Sequence, residues 1–155
     1  MYPMKRKPIP DHLLLDQQLC FALYAASRSV TGLYRPLLDP LGLTYPQYLV
    51  MLVLWEQDGL TVRELGQRLQ LDSGTLTPLL KRLQAAGLVD RQRRTEDERE
   101  VDIRLTTAGL ALREQASDVP KCMAQRLQLN PEQMQTLRDE LKRLTRQLQL
   151  SPTED

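Results

Sequence analysis

The first third of the chain brings together a nucleophile and groups that could activate it: the thiol of Cys20 and the phenols of Tyr24, Tyr34 and Tyr45. A thiol reacts as its thiolate, and a phenol O–H that donates to the charged form lowers the thiol pKa. Tyr24 stands one turn beyond Cys20, on the same face of any helix that carries both. The immediate neighbours, Leu19 and Phe21, are apolar, and no cation adjoins Cys20 in sequence. Taken locally, that describes a buried, inert thiol. Tyr34 and Tyr45 flank a proline-rich turn, and two or three phenols meeting at one sulfur would make it reactive. Both readings stay open on these residues alone.

A second constellation has a different chemistry. In the stretch 71–83, Leu76, Leu79, Leu80 and Leu83 recur at the spacing of a buried helical stripe. Ser73, Thr75, Thr77, Lys81 and Arg82 fall largely on the other side. Short hydroxyls at a helix start, with cations a turn or so further on, suit a helix that meets base edges and phosphates in a major groove. A solvated amphipathic helix has the same pattern, so residues 87–105 decide between the two. Gly87 supplies a helix stop. Residues 88–93 and 100–105 then alternate apolar and polar, as half-buried strands do, around the charged loop Arg94-Thr95-Glu96-Asp97-Glu98-Arg99. A short helix, a polar-faced helix and a charged hairpin make a winged helix-turn-helix. Its expected DNA-contacting residues are Ser73, Gly74, Thr75, Thr77, Pro78, Lys81 and Arg82 on the helix, with Arg91, Arg93, Asp97 and Arg99 on the hairpin. Asp97 is expected to fix an arginine side chain by a paired hydrogen bond.

The elements that must position these groups are mostly helical. Residues 1–10, with three prolines and three basic residues, are expected to be a mobile arm. Asp11 is read as the N-cap of a long helix to about Leu33, with Pro36 and Pro40 breaking the path. Thr44 with Gln47, Thr61 with Glu64 and Asn130 with Gln133 are capping boxes opening three further helices. The first of these is apolar nearly all round and forms the core, Trp55 included. The second, 62–69, pairs with the recognition helix. Thr106 caps a helix carrying Leu110, Leu112, Ala116 and Val119, which Pro120 bends or interrupts. The last helix has a seam of Met134, Leu137, Leu141, Leu144 and Leu148. This predicts a mainly α fold with a small β-hairpin wing, in which the N- and C-terminal helices form a dimerisation region. The expected divisions are 11–40 and 106–150 for dimerisation, 41–105 for DNA, and a disordered tail 151–155. Awkwardly, Pro78 falls inside the recognition helix. Either the helix begins nearer Thr75, or the Gly74 carbonyl goes without its partner.

Composition narrows the function further. A net charge of +1 on 155 residues gives no global basic field, so DNA binding must rest on local clusters such as the arginines of the hairpin. Two cysteines, Cys20 and Cys122, and one histidine, His12, are too few for a disulfide framework, a zinc site or histidine-based catalysis. No cofactor and no metal are expected, and the absence of a membrane-length apolar run points to the cytoplasm. There any disulfide would be transient and regulatory.

The segments Leu19 to Arg28, Leu43 to Tyr48, Leu71 to Arg82 and Asp97-Glu98-Arg99 resemble the organic hydroperoxide resistance repressors of the MarR family. The likeness runs from about residue 12 to 120. It implies that Cys20 is a peroxide-sensing thiol held by Tyr34 and Tyr45, with Tyr24 nearby. Organic hydroperoxide would oxidise it to a sulfenic acid that condenses with a second thiol, and Cys122 resembles in placement the resolving thiol, which lies on the other subunit. The implied partners are a pseudo-palindromic double-stranded operator, a second copy of the chain and the peroxide. Two other functions compete. One is a MarR-type repressor released by a non-covalent phenolic or apolar ligand, with Cys20 a bystander. The other is a thiol peroxidase, for which the sequence offers no apparatus beyond the thiol and in which the wing has no role. The chain is therefore not read as an enzyme.

Overall fold

A computed structural model describes residues 6–97 and 99–150, with the side chain of Leu150 excepted. Expectations for residues 1–5, Glu98 and 151–155 lie outside the described residues; residues 6–10 carry no regular structure. The chain forms two compact units, one running to Val119 and the other from Pro120.

The first helix begins later than its sequence pattern predicts. Asp11–Leu13 and Leu15–Gln17 are single 3-10 turns, and α1 spans Leu19–Leu38 with Gln18 as its N-cap. Gln18 explains the delay, because its side-chain amide donates to the His12 and Leu14 carbonyls, both at 2.9 Å. Those carbonyls are satisfied without a helix, and Asp11 caps nothing. At the other end Pro36 does not end α1 but sits inside it. It removes only the hydrogen bond to the Gly32 carbonyl, a tolerable loss in the last turn. The break comes at a 3-10 turn, Asp39–Leu41, and Gly42 takes the left-handed conformation at φ 69° that closes it.

The capping boxes fold as the sequence predicts. Thr44 and Gln47 open α2, Tyr45–Glu56, by reciprocal hydrogen bonds. Thr61 and Glu64 do the same for α3, Val62–Leu69. The α2 helix is the core of this unit: Tyr48, Val50, Met51, Val53 and Leu54 are all buried. Trp55 is half-buried, with its indole N–H donating to the Gly109 carbonyl at 2.9 Å. No side chain is possible at Gly109, since a Cβ would collide with the Leu88 carbonyl.

The α4 helix, Ser73–Ala85, runs straight through Pro78, so the Gly74 carbonyl is the one left without its helical partner. Its end is a Schellman motif: Leu88 N–H reaches the Leu83 carbonyl at 3.0 Å, Gly87 N–H reaches Gln84 at 2.9 Å, and Gly87 has φ 75°. Strands β2, Val89–Arg93, and β3, Val101–Leu105, form the antiparallel wing, with Arg91 opposite Ile103. A third strand, Leu60–Thr61, is not expected from the sequence. This β1 pairs with β3 to give the order β1-β3-β2, and it ties the start of α3 to the wing.

The α5 helix, Thr107–Ala116, is capped by Thr106, which accepts from Gly109 N–H at 3.0 Å. Leu112 and Ala116 face inward as expected, but Leu110 is 50% exposed. The predicted interruption comes before Pro120, which stands in the first turn of α6, Val119–Leu127, where its missing N–H costs nothing. The second unit continues with α7, Pro131–Leu150, opened by the reciprocal Asn130 and Gln133 hydrogen bonds at 2.8 and 3.0 Å. Within its seam Met134 and Leu144 are half-buried, whereas Leu137, Leu141 and Leu148 are exposed.

Candidate functional site

Two groups of side chains could do the chemistry read from the sequence. The first lies on α4 and the wing. Asp72 caps α4 by accepting from Thr75 N–H at 2.7 Å, and hydrogen bonds from Thr75 hold its carboxyl below the usual aspartate value. Leu76, Leu80 and Leu83 are buried, while Ser73, Gly74, Thr75, Pro78, Lys81 and Arg82 are exposed and Thr77 is half-buried. The buried stripe thus fixes the helix, and the polar face is left for a partner.

Acidic residues brace the wing, though not the pair predicted. Asp97 accepts from the backbone N–H of Arg99 at 3.0 Å and shapes the turn rather than holding a guanidinium. Its side chain is short enough to close this local ring. The braced arginine is Arg94, which donates to Asp102 at 2.7 Å and Glu100 at 3.1 Å. Asp102 holds the Arg94 guanidinium above its ordinary pKa. Glu100 also comes within 3.8 Å of Arg63 on α3, which links wing and helix-turn-helix. Alternation along 100–105 puts Glu100 and Asp102 on one side of the strand, which is the sequence signal for this network. Arg93 and Arg99 remain exposed, and Arg91 is half-buried with a buried Nε–H that has no hydrogen-bond partner among the described residues.

The second group is split. Cys20 lies in the first turn of α1 and is exposed, so within one chain it is not a buried core thiol. One turn on, Tyr24 is 59% exposed, with the Arg28 guanidinium 5.6 Å from its ring centre. Tyr34 and Tyr45 do come together, their ring centres 4.6 Å apart, and Tyr48 joins them at 5.8 and 6.5 Å. Sequence reasoning misses Tyr48, although its position three residues after Tyr45 on α2 puts both phenols on one face. Cys20 does not reach this cluster in its own chain. Fourteen residues of helix separate it from Tyr34, a rise of about 21 Å.

Burial pushes the Tyr34 hydroxyl up to about 12, with the neighbouring phenols Tyr45 and Tyr48 adding to the shift. Tyr45 and Tyr48 are raised as well, chiefly by burial. All three phenols therefore stay protonated and remain hydrogen-bond donors. Beside Tyr34 and Tyr45 lies a cavity of 230 Å³ walled by Leu38, Leu43 and Pro46, with Arg35 at its edge. Cys122 is half-buried on α6 in the second unit.

Fold and exposed basic helix together define a winged-helix transcriptional regulator, and relatives agree. The transcriptional regulator SarA/Rot family matches residues 32–116. The organic hydroperoxide resistance transcriptional regulator of Bacillus subtilis is 57% identical over 110 residues, covering 71% of this chain and 75% of its own. AbfR of Staphylococcus epidermidis, solved reduced and bound to DNA, is 37% identical with a TM-score of 0.71 over 86% of this chain and 94% of that one. Its disulfide form has a TM-score of 0.61 at the same identity, over 88% and 93%. The chain belongs to the organic hydroperoxide resistance regulators of the MarR type, within the reach of the SarA/Rot family. It is a DNA-binding regulator and not an enzyme. Among the described residues no single helix is long and apolar enough to cross a membrane.

Proposed function

We propose that the chain is a cytoplasmic, peroxide-sensing repressor that binds a pseudo-palindromic operator as a homodimer and leaves it when Cys20 is oxidised. One observation carries this reading. The phenols that can activate a thiol are gathered, half-buried and kept protonated at one end of α1, about 21 Å from the thiol at its other end. A second copy of the chain can bring its Cys20 to Tyr34 and Tyr45, and an exposed Cys20 is free to receive them. Dimerisation would then complete the sensor and also set two α4 helices one DNA turn apart, roughly 34 Å. The helices at the two ends of the chain supply the contact, and the exposed Leu137, Leu141 and Leu148 support that role.

The chemistry is a two-electron oxidation. Cys20 sulfur attacks the terminal peroxide oxygen, the O–O bond breaks, and the products are Cys20 sulfenic acid and the alcohol, which takes the thiol proton. Condensation with the Cys122 thiol of the other subunit would form a disulfide and release water. Rearranging one or two phenol hydrogen bonds gives about 1.5–3 kcal/mol each. Full release of DNA needs more, about 5.5 kcal/mol for a complete population shift, and a covalent tie could supply it. On the DNA side, Ser73, Thr75 and Thr77 read base edges while Lys81, Arg82, Arg93 and Arg99 meet phosphates or the minor groove.

The 230 Å³ cavity favours a second reading, release by a non-covalent phenolic or apolar ligand with Cys20 a bystander. A gel shift on DNA upstream of the chain's own gene, with and without cumene hydroperoxide, separates them. Cys20→Ser should bind and stay bound in peroxide. Release of Cys20→Ser as complete as wild type would remove the thiol from the switch.

A further inference from the structure

We propose that Arg35 is a specificity residue, selecting hydroperoxides that carry a carboxylate over neutral ones. This rests on the peroxide-sensing reading above and names the class of peroxide it takes. At 230 Å³ the cavity beside Tyr34 and Tyr45 is smaller than the roughly 300 Å³ at which sites for drug-sized ligands begin, so it suits a segment of chain or one small ring. Its floor is apolar, with Leu38 and Leu43 1% and 5% exposed. Tyr34 and Tyr45 line it and bring the two phenols. The remaining feature is a charge: Arg35 lines the cavity one residue beyond Tyr34 and makes no ion pair among the described residues. Asp39, one turn further along, lines the same cavity without coming within ion-pair distance of it.

An unpaired guanidinium at the edge of an apolar cavity presents a flat fork of donors that matches a carboxylate. A small guest with its hydroperoxide at the phenols, its apolar body on Leu38 and Leu43 and its carboxylate on Arg35 uses all three features. Neutral hydroperoxides use two. The carboxylate is unchanged in the reaction. Cys20 sulfur takes the terminal oxygen as the O–O bond breaks, sulfur is oxidised by two electrons, and the alkoxide leaves as the alcohol with the thiol proton. Asp39 works against an anionic guest, so its removal should sharpen the preference.

The test measures Cys20 sulfenic acid, trapped by dimedone and read by intact mass, in the reduced full-length protein. The probes are cumene hydroperoxide, cumene hydroperoxide carrying a carboxylate on its ring, and the methyl ester of that acid, each one small ring in size. In wild type the acid should react about tenfold faster than the ester, the worth of one charge-assisted hydrogen bond. Arg35→Gln should bring that ratio to about one, and Asp39→Asn should raise it above wild type. Equal rates for acid and ester in wild type, or a ratio that survives Arg35→Gln while cumene hydroperoxide still oxidises Cys20, would overturn the carboxylate anchor alone. If none of the three probes oxidises Cys20, the peroxide-sensing reading falls and the anchor with it.

Discussion

The DNA-reading part of the molecule and the part proposed to sense peroxide differ in how much of themselves one chain contains. The described residues of 60–105 are finished within a single copy: both helices are capped, α4 ends in a closed Schellman motif, the wing is a three-stranded sheet, and Arg94 is held by two carboxylates. In α1 the opposite holds. Leu19 is 67% exposed, Phe21 is 42% exposed, and Cys20 stands at one end of a helix whose other end holds the phenols. A surface that must fit a duplex of fixed shape gains from being built in advance. A switch, by contrast, must have two arrangements, and a site divided between two copies can change when they move against each other. The difference also says where mutations should act: on the wing they should scale DNA affinity, and on the sensor they should change the response to peroxide.

The largest effect should come from removing the apolar seam. A chain ending before Pro131 loses α7 with the exposed Leu137, Leu141 and Leu148. It should elute as monomer or aggregate and lose operator binding by more than about a hundredfold, since a dimer's second half-site is lost. A truncated chain that remains dimeric and binds normally would show that α7 does not join the copies. Arg99→Ala should weaken binding about tenfold on all sequences and reduce the salt slope by about one, whereas Thr75→Ala should change base preference instead. If the two substitutions give the same sequence-blind loss in a titration over salt, the helix and the wing are not dividing the work as described.

Smaller effects sharpen the contrast from inside each part. Arg94→Ala leaves Asp102 without its 2.7 Å partner and Glu100 without its 3.1 Å one. Thermal unfolding should drop by a few degrees, and DNA affinity should fall without any change in the peroxide response. In the sensor, the raised phenol pKa sets a pH signature. Tyr34 is pushed up to about 12, above its unfolded value of about 10, so its contribution to stability is complete below pH 10 and lost as pH rises through 12. The phenolate absorbance of wild type should therefore show a late component that Tyr34→Phe lacks. Asp72 gives the complementary acid signature. Its lowered pKa stabilises the fold above the ordinary aspartate value and is lost as pH falls through the folded one, so Asp72→Ala should narrow the gap to wild type in acid.

Local grammar explains what could be read in the sequence. Every capping box proposed at Thr44, Thr61 and Asn130 closes as drawn, because each needs only side chains three residues apart. Gly87 and the two wing strands were legible for the same reason. What escaped depends on contacts across the fold. The two residues of β1 have no periodicity to detect and are strand only because β3 lies beside them. The start of α1 turned on a glutamine side chain reaching back six residues, and Pro36 on how little a missing bond matters near a helix end. Asp102 and Glu100 hold an arginine where Asp97 was expected to, because charge counting cannot say which carboxylate lies across the strand pair. The candidate sensor residues were named individually, yet their separation along α1 was hidden in plain arithmetic: fourteen helical residues cannot fold back on themselves.

That separation makes mixed dimers the sharpest trial of a shared sensor. One chain would carry Cys20→Ser with native phenols, and the other native Cys20 with Tyr34→Phe and Tyr45→Phe, the two purified together through different tags. If phenols of one copy serve the thiol of the other, the single remaining Cys20 faces Tyr34 and Tyr45 across the dimer. Cumene hydroperoxide should then oxidise it at the wild-type rate, about tenfold faster than in the homodimer lacking both phenols. A mixed dimer as slow as that homodimer would contradict a sensor completed by the second copy.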